Sequence, residues 1–344
     1  MRVAMYYRNS DVRLEEMPKP TIGPGEALIK VRASGICGSD VMEWYRIKKA
    51  PIVLGHEVTG DIVELGEGVE GFSVGDRVVF THHVPCNNCY YCQRGEHSLC
   101  ETLHNTKFYP GGNAEYVRMP AINIEKGGML RLPDNVSYDE GTFIEPLGCV
   151  MRGMRKLAIQ PGDSVLVLGS GLSGLLNIKA AIAMGAGRVV ATDISEYRLN
   201  AARKAGAATA INALEEEDVV ATAKAANDDR GFDIVIVCTA APMVFNQAIQ
   251  AADKGAKVLL FAINTPGTEI PFEPYALYSK GITLMSTYAA PPRDLREAMT
   301  LIANGRIEVA SLMTHRLPLE ETQKGFEMTA RAENSLKVVI DPTL

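Results

Sequence analysis

The chain has 344 residues, of which 47% are hydrophobic and 22% charged, with a formal net charge of -6. The acidic balance argues against nucleic-acid and anionic-membrane partners, and no apolar run is long enough for a membrane span. The N-terminal residues lack the apolar centre of a secretory signal and the cysteine usage suits a reducing compartment, so we expect a cytoplasmic protein.

The chain is long enough for two domains, and its local patterns change near residue 160. Residues 1–150 contain short alternating runs separated by glycine and proline, which predict a mostly β domain. From Asp163 onward, apolar strand-like runs alternate with helix-length segments, which predicts an α/β domain with a parallel sheet buried on both faces. After about residue 290 come a helix and a final strand. This tail could cap the α/β domain or return to the first one.

Four of the seven cysteines lie in one short segment with the spacing C-x2-C-x2-C-x7-C. They are Cys86, Cys89, Cys92 and Cys100. Close pairs of thiolates let one loop surround a single tetrahedral zinc ion, and ferredoxin-type iron–sulfur runs use different spacings. We therefore predict a structural zinc lobe at about 82–104. Because four sulfurs close the coordination sphere, this metal explains stability, and the chemistry must lie elsewhere.

A dinucleotide-binding motif follows the first strand of the predicted α/β domain. It contains Gly169, Gly171, Ser173 and Gly174 and leads into a helix. Glycines allow the tight turn and the close approach of a pyrophosphate, and the helix N-terminus favours the phosphates. Asp193 ends the next strand at the usual spacing, where a carboxylate accepts hydrogen bonds from the ribose and repels a 2′-phosphate. The motif therefore predicts NAD rather than NADP, although Arg198 could stack on the adenine or reach a phosphate.

Other metal-binding side chains gather in three places among apolar and glycine residues. Cys37 lies in GICGSD, His56 and Glu57 lie in LGHEVTG, and Glu145 and Cys149 lie in FIEPLGCV. Together they offer the three ligands plus water that are typical of catalytic zinc. From the residues alone this reading and a set of unconnected buried side chains stay open, because sequence does not show convergence in space.

The order of CGSD, GHE, the four-cysteine run and a downstream GxGxxG resembles the zinc-dependent medium-chain dehydrogenase/reductase family over essentially the whole chain. The combination of GHE with IEPL is most similar to the sorbitol (polyol) dehydrogenase branch, with threonine dehydrogenase close by. The resemblance implies a GroES-like catalytic domain over 1–150, a Rossmann domain over 151–288, and a segment over 289–344 that completes the catalytic domain. It also implies a homodimer or homotetramer.

By this resemblance, Cys37 and His56 are ligands of a catalytic zinc, and Glu57 is a ligand or an exchanging neighbour. Glu145 fills the remaining position or contacts the zinc water. Cys149 is the alternative, because positions i and i+4 share one face of a helix. The expected cofactors are therefore one catalytic Zn²⁺, one structural Zn²⁺ and NAD.

The chain departs from the family pattern beside Cys37. The family often reads C-G-[ST]-D-x-H, but Met42 stands where that histidine would relay a proton. Ser39 remains able to hydrogen-bond the substrate oxygen, so we expect the proton to leave through water, the ribose hydroxyls or another group. The loop that follows supplies candidate substrate contacts in Trp44, Tyr45 and Arg46.

The expected reaction is reversible hydride transfer from a secondary alcohol, such as a polyol or sugar alcohol, to NAD. Strand ends of the Rossmann domain should contact the nicotinamide, and the candidates are Phe261, Ile263, Thr287 and Tyr288. Two alternatives stay open at this stage. One is a threonine-type amino-alcohol dehydrogenase, and the other is a zinc-stabilised nucleotide-binding protein without catalysis.

Overall fold

The computed structural model describes all residues from 1 to 344. Two compact units divide the chain, one formed by Met1–Gly148 with Ala289–Leu344 and the other by Cys149–Tyr288. The division falls within one helix, Ile144–Leu157. None of the helices has both the length and the apolar character needed to cross a bilayer.

The first part of the chain is mostly β, as its alternating pattern predicts. Its strands β1 to β8 are Arg2–Arg8, Asp11–Glu16, Ala27–Gly35, Ile52–Val53, Glu57–Leu65, Arg77–Phe80, Tyr116–Met119 and Met129–Arg131. Its helices α1 to α6 are Glu43–Arg46, Tyr90–Gln93, Glu101–Asn105, Ala121–Glu125, Tyr138–Gly141 and Ile144–Leu157. Short 3₁₀ turns lie at Ile47–Lys49 and His97–Leu99.

Strands and helices alternate in the second unit. Strands β9 to β14 are Ser164–Leu168, Arg188–Asp193, Thr209–Asn212, Phe232–Val237, Ala252–Leu260 and Thr283–Ser286. Helices α7 to α11 are Leu172–Ala183, Glu196–Lys204, Val219–Ala225, Pro242–Ala251 and Pro274–Lys280. The strands are parallel and lie in the order β11-β10-β9-β12-β13-β14. This is the Rossmann order, in which successive strands are added on one side of β9 up to β11 and on its other side from β12 onward. The predicted fold class is therefore confirmed.

The tail adds α12 (Pro292–Ala303), β15 (Met313–Pro318), α13 (Thr322–Arg331) and β16 (Lys337–Asp341), with 3₁₀ turns at Ala310–Leu312 and Leu319–Glu321. It joins the seven-stranded sheet of the first unit, whose order is β15-β16-β3-β5-β6-β8, with β7 also paired to β3. Phe326 and Ile340 of the tail pack with Tyr6 and Leu54 in one buried cluster. The tail is therefore part of the core of the first unit.

Each unit has its own hydrophobic core. In the first unit, the β3 and β5 side chains meet those of β6 and β7, with Phe80 and Met119 fully buried. In the second unit, β9 is buried along its whole length, as expected for a strand with helices on both faces. These rigid sheets fix the loops at their ends, where the candidate site residues lie.

Candidate metal and nucleotide sites

The four predicted lobe cysteines form one group whose sulfurs lie within 4.8 Å of one another. Cys86 Sγ and Cys92 Sγ are 4.0 Å apart, and a tetrahedral zinc with Zn–S bonds of about 2.3 Å separates its sulfurs by about 3.8 Å. The backbone N–H of Cys89 donates to Cys86 Sγ over 3.3 Å, and that of Cys86 donates to Cys100 Sγ over 3.4 Å. All four are free thiols with no disulfide. The donor set and its spacing fit a zinc ion.

The electrostatics of this lobe favour thiolates at selected positions. Burial raises the pKa of the Cys100 thiol, but the N–H groups of Cys86 and Leu103 outweigh it and lower that pKa to about 6. Burial raises the pKa of Cys92 to about 12, with help from Cys89. Metal binding requires deprotonated thiols. The backbone N–H donors already favour a thiolate at Cys100, and a bound cation would favour thiolates at the other cysteines as well.

Three of the predicted catalytic ligands form the second group of potential metal ligands. One ligand atom each of Cys37, His56 and Glu57 lies within 4.8 Å of the others. Antiparallel pairing explains this, because Gly35 near the end of β3 lies opposite Glu57 at the start of β5. Cys37 comes shortly after Gly35, and His56 comes directly before Glu57. The pairing of the two strands therefore brings the thiol and the imidazole together. Glu145 is not part of this group, and it lies buried in the first turn of α6. Cys149, one turn further along that helix, is half-buried.

Asp40 holds His56 in place. Its carboxylate is fully buried, and Oδ1 lies 3.4 Å from His56 Nδ1, which leaves Nε2 for a metal. Oδ2 accepts the backbone N–H of Cys37 over 3.2 Å. Burial acts to lower the pKa of His56, but the charges of Asp40 and Cys37 outweigh it and hold that pKa well above its usual range. A carboxylate behind a metal-binding histidine is a common supporting arrangement.

Glu57 is shared between the ligand group and a buried lysine that the sequence interpretation missed. Lys337 Nζ forms an ion pair with Glu57 Oε2, and both side chains are at most 1% exposed. The lysine also lies 5.4 Å from the centre of the Phe143 ring. Gly35 makes room for the pair, because a Cβ there would collide with both charged groups. Glu57 Oε1 is buried without a hydrogen-bond partner, as expected of an oxygen that binds a cation.

Ser39, the predicted proton acceptor, lies next to the ligand group. Its hydroxyl donates to Cys37 Sγ over 3.4 Å, and its backbone N–H approaches the same sulfur at 3.4 Å. Met42 precedes α1 and offers no proton-carrying group.

His82 packs edge-on against His56, with ring centres 5.3 Å apart. Burial is the main cause that holds the pKa of His82 well below its usual range.

The glycine motif forms the turn between β9 and α7. Gly169 has φ +96°, a left-handed conformation that favours glycine. A Cβ on Gly174 would overlap the carbonyl oxygen of Gly169, whereas a Cβ on Gly171 would meet no protein atom within 4 Å. Gly171 therefore faces open space at the N-terminus of α7, and Ser173 lies in its first turn. This is the geometry that receives a pyrophosphate.

Asp193, the last residue of β10, is 7% exposed and fixed by the backbone. Its oxygens accept the N–H groups of Ser170 (2.7 Å), Ile194 (2.8 Å) and Ser195 (3.0 Å). A carboxylate has about four acceptor positions, so one remains for a ribose hydroxyl. Arg198 Nη1 lies 3.7 Å from Asp193 Oδ1 and partly offsets its charge.

The remaining cofactor candidates lie at strand ends of the same sheet. Phe261 follows β13 and donates its N–H to Val237 O over 3.0 Å. Ile263 is exposed, as is Tyr288, which with Thr287 follows β14. The hydroxyl oxygen of Thr287 is buried without a partner. Carboxyl ends of parallel strands carry the ligand in such sheets, so these positions are consistent with a cofactor contact.

Comparison with known proteins finds two matching family models. The "Alcohol dehydrogenase GroES-like domain" family matches residues 23–133, and the "Zinc-binding dehydrogenase" family matches residues 174–304. Sorbitol dehydrogenase of Bacillus subtilis is 30% identical over 99% of this chain and 97% of its own. L-threonine 3-dehydrogenase of Pyrococcus furiosus is 35% identical over 94% of this chain and 92% of its own.

Two solved structures have the same fold over almost the full length. The 2R,3R-butanediol dehydrogenase of Bacillus subtilis is 29% identical with a TM-score of 0.86, and each chain is covered to 99%. A zinc-binding dehydrogenase of Sinorhizobium meliloti bound to NADP is 26% identical with a TM-score of 0.88, again with 99% of each chain covered. The chain thus belongs to the zinc-dependent medium-chain dehydrogenase/reductase family, which comprises oxidoreductases that act on alcohols with zinc and a nicotinamide dinucleotide.

Proposed function

We propose that this chain oxidises a secondary alcohol of a polyol, a sugar alcohol or a related small metabolite, reversibly and with NAD as the acceptor. The observation that carries the proposal is the group formed by Cys37, His56 and Glu57, with a serine hydroxyl at its edge. Relatives named for sorbitol and for 2R,3R-butanediol act, by their names, on secondary alcohols.

In this proposal Cys37 and His56 bind the catalytic zinc, Glu57 is a ligand or exchanging neighbour, and Glu145 completes the site. Cys149 is the alternative to Glu145, because both stand on one face of α6. The bound zinc would polarise the hydroxyl of the substrate as a Lewis acid, and the nicotinamide would accept the hydride. Asp40 orients His56, and Lys337 binds one oxygen of Glu57.

In this scheme Ser39 helps to remove the proton of the substrate hydroxyl by accepting a hydrogen bond from it. Because Met42 cannot pass it on, the proton leaves through water or the ribose hydroxyls of the cofactor. Asp193 selects NAD through its remaining acceptor position, and the phosphates bind at the Gly169–Gly174 turn. The strand-end residues Phe261, Ile263, Thr287 and Tyr288 line the nicotinamide.

A second candidate is the oxidation of threonine or a similar amino alcohol. It is favoured by the 35% identity to L-threonine 3-dehydrogenase over nearly the full length. The two candidates share the metal and cofactor sites and differ only in the substrate.

The test is NADH formation over a panel of polyols, simple secondary alcohols, primary alcohols and L-threonine. We expect turnover of a polyol or sugar alcohol, loss of that turnover in His56→Ala, and retention in the control His315→Ala. His315 is a suitable control because it lies in β15, next to Thr314 Oγ1 at 3.0 Å. A stronger signal with threonine would establish the second candidate. Silence across the panel, or full activity of His56→Ala, would contradict the proposal.

A further inference from the structure

Arg46 makes an unusual set of contacts with the turn that follows Cys37. It is the last residue of α1, and its side chain folds back and is 13% exposed. Nε donates to the backbone carbonyl of Ser39 over 3.0 Å, and Nη2 donates to Ser39 Oγ over 2.9 Å and to Asp40 Oδ1 over 3.0 Å. The guanidinium carbon also lies 4.8 Å from the centre of the Tyr45 ring. One rigid guanidinium thus binds two consecutive residues of the candidate active site.

These contacts determine which part of the Ser39 hydroxyl is left for a substrate. A serine hydroxyl has one hydrogen to donate and two lone pairs that accept. Arg46 Nη2 occupies one lone pair, and the hydrogen points to Cys37 Sγ. One lone pair therefore remains. An arginine stays protonated at any pH that the protein tolerates, so this arrangement holds one orientation and does not act as a proton relay.

We propose that Arg46 is a positioning residue that orients the Ser39 hydroxyl, so that its remaining lone pair accepts a hydrogen bond from the reacting substrate hydroxyl. The inference rests on the proposed alcohol oxidation, and it extends that proposal to the position where Met42 stands in place of a relay histidine. The arginine acts through Ser39 rather than through the substrate. A rival route exists through Asp40, which also binds Arg46 and orients His56.

A double-mutant cycle separates the two routes, because interaction energies vanish when the shared partner is absent. The variants are Arg46→Gln, Ser39→Ala and the double variant, with Lys49→Gln as the control. Lys49 is an exposed cation of the same loop, 5.0 Å from the centre of the Tyr45 ring. We expect kcat/KM to fall about tenfold to hundredfold in Arg46→Gln, as for a lost hydrogen bond to a charged group. In the Ser39→Ala background the same change should have an effect below about twofold.

A spectroscopic measurement makes the test independent of turnover. In the Co²⁺-substituted protein, the thiolate-to-cobalt absorption reports hydrogen bonds to the Cys37 sulfur, since such contacts tune a metal centre. Arg46→Gln frees the Ser39 hydroxyl to rotate, so this band should shift. It should not shift when Arg46→Gln is made in the Ser39→Ala background, nor in Lys49→Gln. The cobalt in the cysteine lobe contributes equally to all variants and cancels in difference spectra.

An equal loss of kcat/KM with and without Ser39 would overturn the inference, because Arg46 would then act through Asp40. An unmoved cobalt band in Arg46→Gln, or a failure of that variant to retain cobalt, would also overturn it. If the wild-type protein oxidises no alcohol of the panel, the proposed function fails. The cobalt cycle still decides the role of Arg46 in that case.

Discussion

Lys337 and Glu57 form an ion pair from which water is excluded on both sides, next to the candidate catalytic metal site. Removing one partner of a buried pair leaves an uncompensated charge, which costs far more than the loss of an exposed pair. The position of Lys337 follows from strand pairing, because Val339 of β16 lies opposite Gly35 of β3. Lys337 is two residues earlier in the same strand. Because β16 and β3 are antiparallel, Lys337 lies toward Cys37.

We expect Lys337→Met to lower the free energy of unfolding by about 3–5 kcal/mol, because Glu57 would remain buried and unpaired. Adding Glu57→Gln should recover part of that loss. The control Lys324→Met breaks the exposed pair with Glu321 and should cost less than about 1 kcal/mol. Urea denaturation measures all three. Equal stability of Lys337→Met and the wild-type protein would refute the account of the pair.

Asp193 is the residue on which the cofactor preference depends. Replacing it with glycine removes the negative charge and releases Arg198, which lies 3.7 Å from it. We expect Asp193→Gly to lower the ratio of kcat/KM for NAD to that for NADP by about tenfold to hundredfold, because repulsion of the 2′-phosphate disappears. Initial rates with the two cofactors measure this ratio. An unchanged ratio would mean that Asp193 only anchors the three backbone N–H groups.

In the turn between β9 and α7, one glycine is needed by the fold itself and another leaves room for a ligand. Gly174 is required by the protein itself, because a Cβ there would overlap the carbonyl oxygen of Gly169. Gly171 has a Cβ direction free of protein atoms, so a methyl group there would meet only a bound pyrophosphate.

We therefore expect Gly174→Ala to lower the Tm of the cofactor-free protein and to weaken NADH binding. Gly171→Ala should leave that Tm within about 2 °C of wild type and still weaken NADH binding. Thermal unfolding and fluorescence titration with NADH measure the two quantities. If Gly171→Ala bound NADH as tightly as the wild-type protein, the phosphates would not lie at this turn.

Elements with strong local patterns were predictable from the sequence, including the parallel strands of the Rossmann domain and the zinc-lobe spacing. Boundaries were less exact. The apolar run AKVLLFAI at 256–263 indicates a strand over those residues, whereas β13 spans Ala252–Leu260. Lys337 escaped prediction because a charged residue at a strand end usually indicates exposure, yet all five residues of β16 are buried. Its partner lies 280 residues away, and only the sheet brings them together. The only signal was a lysine directly before a continuous apolar run.

The candidate site shows the same contrast. Cys37, His56 and Glu57 were predicted, because their motifs are short and specific, and the structure brings them together. Asp40 was overlooked as the partner of His56, although it stands in the same CGSD motif as Cys37 and Ser39. The choice between Glu145 and Cys149 remains a prediction, because both lie on one helix and neither belongs to the three-residue group.

In the whole molecule, the first unit is discontinuous in sequence. Residues 289–344 return to the unit formed by 1–148, and β16 supplies the lysine that binds Glu57. The candidate metal site therefore depends on both ends of the chain. The homodimer or homotetramer that the family resemblance implies stays a prediction, and light scattering on the purified protein would determine it.

Zinc content is the sharpest test of the catalytic metal site, because a catalytic and a structural zinc need two separate sites with different ligands. We predict two zinc ions per chain in the wild-type protein and one in Cys37→Ser, whose four-cysteine lobe is intact. The variant should retain its fold and form no NADH. One zinc per chain in the wild-type protein, or two in Cys37→Ser, would contradict the assignment of Cys37, His56 and Glu57 as the catalytic metal site.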